Sequence, residues 1–143
     1  LVMKKIVLLF SSLFMIACVS NEPKPIKLNV DTCEFCKMTI SNGKFGAELL
    51  TKKGRYYKFD DLSCMLLYAK ENANVQVQSF FVNDYAKDNT LIPAEQSFYL
   101  RGGSINSPMR GNFAAFASDK DQDNFQKQLN AKTLTWEQVF TMY

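Results

Sequence analysis

Residues 45–65 run Phe45-Gly46-Ala47-Glu48-Leu49-Leu50-Thr51-Lys52-Lys53-Gly54-Arg55-Tyr56-Tyr57-Lys58-Phe59-Asp60-Asp61-Leu62-Ser63-Cys64-Met65. Phe45 to Leu50 reads as a strand, Lys53-Gly54 as a turn and Arg55 to Phe59 as the returning strand. Asp60 or Asp61 then caps a helix running to about Asn72, in which Leu62, Met65, Leu66 and Ala69 recur at helical spacing. Val75 to Asp84 follows as a strand, with Phe80-Phe81-Val82 assigned to the core. The order is strand, strand, helix, strand. It recurs downstream as Gln96–Arg101, a Gly102-Gly103-Ser104 turn, Gly111–Ala117, a helix capped by Ser118 or Asp119 and running to about Asn130, and Lys132–Leu134. Thr135 caps a last helical turn or two at Trp136–Tyr143. The expected class is α+β, with two similar ββαβ units packed together.

The chain has 143 residues, a formal net charge of +3, four cysteines and no histidine. Without imidazole the chain alone builds no Ser-His-Asp or Cys-His catalytic unit, no Cys2His2 zinc site and no blue-copper site. Any metal site must use Cys, Met, carboxylates, backbone or a partner. At the N-terminus, Met3-Lys4-Lys5 precedes the apolar run Ile6–Phe14 and then Met15-Ile16-Ala17-Cys18. That pattern reads as an export signal whose last cysteine is acylated, because about 12 apolar residues are too few to span a bilayer. The expected organisation is a signal at 1–17, a lipidated tether at 18–30 beginning at Cys18, and a domain at 31–143 with halves of about 31–92 and 93–143. Loss of Lys4 and Lys5 leaves 15 basic against 14 acidic side chains, so no nucleic-acid surface is expected. Acylation of Cys18 would leave Cys33, Cys36 and Cys64, an odd number of thiols for an oxidising compartment.

Chemistry concentrates in Cys33-Glu34-Phe35-Cys36-Lys37-Met38. Two cysteines three apart can bring their sulfurs to one side of a tight turn, and Met38 offers a thioether to the same side if the chain is extended there. Thiolate and thioether are soft donors that suit Cu(I), whereas Zn²⁺ gains little from thioether. The same CxxC spacing also serves redox couples, zinc knuckles and structural disulfides.

The signal ending in cysteine, then Cys33-Glu34-Phe35-Cys36-Lys37-Met38-Thr39-Ile40, Phe59-Asp60-Asp61-Leu62-Ser63-Cys64-Met65, Phe81-Val82-Asn83-Asp84-Tyr85 and Ser107-Pro108-Met109 together resemble the NosL family. The resemblance spans about residues 18–136. It implies a Cu(I)-binding lipoprotein, not an enzyme, anchored on the periplasmic face of a membrane and built from paired ββαβ units. It further implies nitrous oxide reductase as the copper acceptor, with other copper-maturation proteins as further partners. Copper ligands carried over from the family map to Cys36, Met38 and Met109. Cys33 is a second ligand, a disulfide partner of Cys36, or only a neighbour. Lys37 departs from the family pattern, which often has Gly there, and so bears on the turn geometry.

Met109 follows Pro108 in a loop flanked by Gly102-Gly103 and Gly111, a setting that exposes its thioether. Cys64, in a first helical turn between Leu62 and Met65, is expected as a small buried apolar residue rather than a ligand. Asp60 and Asp61 are helix caps, one of which could instead face the metal mouth. Beside a copper carrier stand two other functions: a thiol-disulfide oxidoreductase using Cys33 and Cys36, and a structural lipoprotein. The oxidoreductase expects CxxC at a helix start, and here it precedes the first clear strand.

Overall fold

A computed structural model describes residues 20–143; the signal at 1–17 and Cys18 lie outside the described residues. Strands β1 (Ala47–Thr51), β2 (Tyr56–Phe59) and β3 (Val77–Asn83) form a sheet with β4 (Leu91–Pro93) in the order β2-β1-β3-β4, and all its pairings are antiparallel. A second antiparallel sheet has the order β6-β5-β7, from β5 (Phe98–Arg101), β6 (Phe113–Phe116) and β7 (Lys132–Leu134). Helix α1 (Leu62–Glu71) lies between β2 and β3, α2 (Asp119–Leu129) between β6 and β7, and α3 (Trp136–Phe140) follows β7. The architecture is α+β with the ββαβ order in each half.

Strand β1 is buried along its whole length because β2 and β3 flank it. Opposite it, Leu62, Met65 and Leu66 of α1 are buried, while Ala69 is only half-buried. Helix α2 contains no fully buried residue; its contact is aromatic, with Phe125 5.3 Å from Phe116 and 5.2 Å from Tyr85 between ring centres. The caps are local. Asp61, not Asp60, caps α1 by accepting from Ser63 N–H, Ser118 caps α2 by accepting from Asp121 N–H, and Thr135 with Gln138 forms a capping box on α3.

Three expectations change. Strand β4 sits where no element was expected, because a three-residue edge strand ending in Pro93 carries little of the strand signature, and a 3-10 turn at Ala94–Gln96 takes Gln96 out of the strand expected to begin there. Phe80 is half-buried rather than core, packing on Trp136 and Phe140 at 5.6 and 5.8 Å. Much of the expected tether lies against the first sheet. Ile26 is 1% exposed within the main core, Lys24 N–H donates to Glu48 Oε1 at 2.7 Å, and Tyr56 Oη–H donates to Glu22 O at 2.7 Å.

The two halves share the main core. Phe59, Leu62 and Val82 of the first pack in the same cluster as Tyr99, Phe113, Leu134 and Val139 of the second. Tyr85 N–H donates to Ala115 O at 2.7 Å, so the end of β3 is stitched to β6. The β2–α1 corner thereby comes to face the β5–β6 connection.

Candidate metal centre

Residues Asn29–Ile40 fold back on themselves ahead of β1. Asn29 N–H donates to Ile40 O at 2.8 Å, Ile40 N–H to Asp31 O at 2.9 Å, and Cys33 N–H to Met38 O at 2.8 Å. The tip closes by Lys37 N–H donating to Cys33 O at 3.0 Å, with Lys37 at φ 64°. Glycine takes this left-handed conformation freely, whereas a side chain costs roughly 1–2 kcal/mol. The lysine therefore keeps the turn at some expense in stability. Glu34 N–H donates to Lys58 O at 2.9 Å and Lys58 Nζ to Asp31 Oδ2 at 2.6 Å, fixing this hairpin on β2 just before the β2–α1 corner.

That anchoring sets Cys33 and Cys36 against Cys64 in the first turn of α1. The three sulfurs lie within 4.8 Å of one another. Cys33 and Cys64 are buried, 0% and 1% exposed, and Cys36 is the half-buried member; all three are free thiols. Cys33 accepts from Cys36 N–H at 3.4 Å. A hydrogen bond from the Cys64 thiol, outweighing burial and joined by the amides of Asp60, Cys36 and Phe35, draws the Cys33 thiol down to about 5. The same bond, with burial, pushes Cys64 up, and burial first of all raises Cys36. The surroundings thus favour the thiolate at buried Cys33 and the thiol at the more accessible Cys36.

The corner residues have separate roles. Asp61, 1% exposed, accepts from Ser63 N–H at 2.9 Å and Ser63 Oγ–H at 2.8 Å with Oδ1, and from Met109 N–H at 3.0 Å with Oδ2. One carboxylate therefore starts α1 and holds the Met109 loop on it. The loop is also braced internally: Asn112 N–H donates to Ser107 Oγ at 2.8 Å, Ser107 N–H to Asn112 Oδ1 at 3.1 Å, and Arg110 N–H to Ser107 O at 3.0 Å. Gly111 makes the approach close enough, since a Cβ there would stand 2.7 Å from Ser63 Cβ and 2.8 Å from Asp61 Oδ1. Asp60 is buried with Oδ1 unpaired among the described residues, and burial, then the neighbouring Cys33 and Asp61, raise its carboxyl to about 6.

Met38 and Met109 are 55% and 41% exposed. Met38 N–H points to the Cys36 sulfur, and Met109 hangs from the residue whose carbonyl receives Cys64 N–H at 3.0 Å. Both expected thioethers therefore belong to segments fastened to the thiol cluster, and both are open to solvent. Cys64 is buried as expected, but the sequence did not place it with Cys33 and Cys36. The signal was an odd third thiol one turn past the helix cap. Also unforeseen is the Asp61 latch, which joins positions 48 residues apart.

This donor set suits a soft ion of low coordination number. A metal about 2.3 Å from each of three thiolate sulfurs in a plane needs them about 4 Å apart, which sulfurs that all lie within 4.8 Å of one another allow. A structural Zn²⁺ site wants a fourth ligand, and no Asp or Glu oxygen joins the cluster among the described residues.

Comparison with known proteins agrees with the resemblance in the sequence. A profile of the NosL family matches residues 25–143. The fold is similar to the crystal structure of the copper chaperone NosL from Shewanella denitrificans, with 20% identity over 85% of this chain and 98% of that one and a TM-score of 0.72. No curated protein sequence matches the chain.

Proposed function

The chain belongs to the NosL family, and from that footing we propose that it is a Cu(I) carrier, lipid-anchored through Cys18 on the periplasmic side of a membrane, that delivers copper to nitrous oxide reductase. Its exchange ligands are Cys36, Met38 and Met109, with Cys33 behind them. The observation that carries this reading is a half-buried thiol flanked by two segments that each present an exposed methionine, in a chain with no imidazole. Soft donors favour Cu(I). Accessible thioethers let an acceptor displace them stepwise, which a carrier requires and a permanent cofactor site does not. The Shewanella denitrificans protein, described as a copper chaperone, supports the same reading through its fold.

A thiol-disulfide oxidoreductase fits less well. Such an enzyme attacks with an accessible low-pKa thiolate, whereas here the sulfur that favours the thiolate, Cys33, is 0% exposed and the reachable Cys36 is shifted up. Complementation in a host that respires nitrous oxide tests the choice. Deletion should leave the reductase made but copper-poor. A folded, membrane-bound Met38→Leu plus Met109→Leu variant should fail to restore copper loading although both cysteines remain. Full restoration would refute metal transfer through the methionines.

A further inference from the structure

We propose that Cys64 is a copper ligand in its own right, closing with Cys33 and Cys36 a buried three-sulfur seat beneath the surface methionines. The ion then has two positions that share Cys36: an outer one with Met38 and Met109 for exchange, and an inner one with Cys33 and Cys64 for retention. The inference rests on the Cu(I)-carrier reading and deepens it.

Three features carry it. The first is the sulfur geometry, with all three Sγ atoms within 4.8 Å although Cys64 comes from α1 and the others from the hairpin. Cys64 is buried in the same core as Leu62, Met65 and Leu66, and from that position it adds a third sulfur to the pair on the hairpin. The second is Asp60. It is 2% exposed, its Oδ1 has no partner among the described residues, and its backbone N–H points to the Cys33 sulfur. An unpaired polar atom buried beside the sulfurs leaves a place for a partner such as a bound ion or its water. The third is the gradient of access. Cys36 is half-buried while Cys33 and Cys64 are closed off, so an ion taken up at the surface on Cys36 moves inward by exchanging thioether for thiolate. Copper stays Cu(I) throughout, and each ligand sulfur that still carries a proton gives it up to solvent as its bond to the metal forms. Solvent and competing chelators reach the outer position only, so retention and release are assigned to different sulfurs of one site.

The test uses the full chain labelled with selenomethionine and loaded anaerobically with less than one equivalent of Cu(I). X-ray absorption then separates thiolate sulfur from thioether selenium without altering Cys64. Three sulfur scatterers and no selenium are expected. A shell of one or two sulfurs with selenium would overturn the inner seat while leaving the carrier intact. Competition with a chromophoric Cu(I) chelator adds a second readout: Cys64→Ser, which keeps the volume and the contact with Cys33, should lower affinity at least about tenfold. Met38→Leu plus Met109→Leu should change it much less and instead slow transfer. Unchanged affinity in a folded Cys64→Ser protein would overturn the proposal, whereas wild-type protein that binds no Cu(I) would overturn the carrier reading itself.

Discussion

Replacing Asp61 by Asn should unfasten the methionine loop while keeping the helix start. The carboxylate serves Ser63 through Oδ1 and Met109 N–H through Oδ2, in a site 1% exposed to solvent. Asn can present its oxygen to Ser63, but its amide NH2 then faces the Met109 N–H, donor against donor. Loss of one hydrogen bond to a charged acceptor costs about 1.5–3 kcal/mol, and weakening of the two bonds to Ser63 adds a few tenths each. The total is about 2–4 kcal/mol, which for a domain of this size lowers the melting temperature by about 8–15 °C. Calorimetry measures that loss, and NMR of methyl-labelled methionine should report Met109 moving while Met65, buried in the core, keeps its signal. Copper transfer should slow in proportion to the loop's displacement. An Asp61→Asn protein melting within about 2 °C of wild type, with the Met109 methyl unmoved, would show that the latch does not hold the loop.

Lys37→Gly removes a left-handed lysine and loses only an exposed 3.6 Å pairing with Glu34, so a stability gain of about 0.5–1 kcal/mol is expected in denaturant titration; a loss would refute the strain. Met38→Leu plus Met109→Leu changes two exposed side chains, so the melting point should hold within about 2 °C while copper handover falls; a large stability loss would mark them as packing residues. Glu48 is buried in β1, and burial, opposed by Lys24 N–H and by the charges of Lys58 and Lys24, raises its carboxyl from 4.5 to about 7. The folded state thus favours the protonated form. Its stabilising share is complete below about pH 4.5 and is lost as pH rises through 7, a loss of about 3 kcal/mol by pH 8. Glu48→Gln should therefore gain on wild type steadily over that range, and parallel stability curves would refute the shift. Cys18→Ala should leave an unprocessed precursor or free the protein from membranes; an unlabelled wild-type protein recovered in the soluble fraction after metabolic lipid labelling would remove the anchor.

The ββαβ order was legible because its signals act over short distances. Apolar periodicity marks Leu62, Met65 and Leu66 as one helix face, and the caps Asp61, Ser118 and Thr135 each bond within three residues of themselves. The soft-donor chemistry was legible for the same reason, since Cys33, Cys36 and Met38 share one short segment and the absence of histidine is a property of composition. Local pattern misled where an element carried few residues or depended on a distant surface. Strand β4 exists because β3 offers it an edge, and residues 22–26 are held in place because Glu48, Tyr56 and Asn89 bind their backbone. The third thiol and the latch belong to the same class. Cys64 and Asp61 look like a buried small residue and a cap from their own neighbourhoods. Only the packing of α1 on the first sheet, the pinning of the hairpin to Lys58 and the stitching of β3 to β6 bring Cys33, Cys36 and Met109 to them. Such proximity is a sum of many long-range contacts rather than a property of any one segment, and the sequence carries it only in that distributed form.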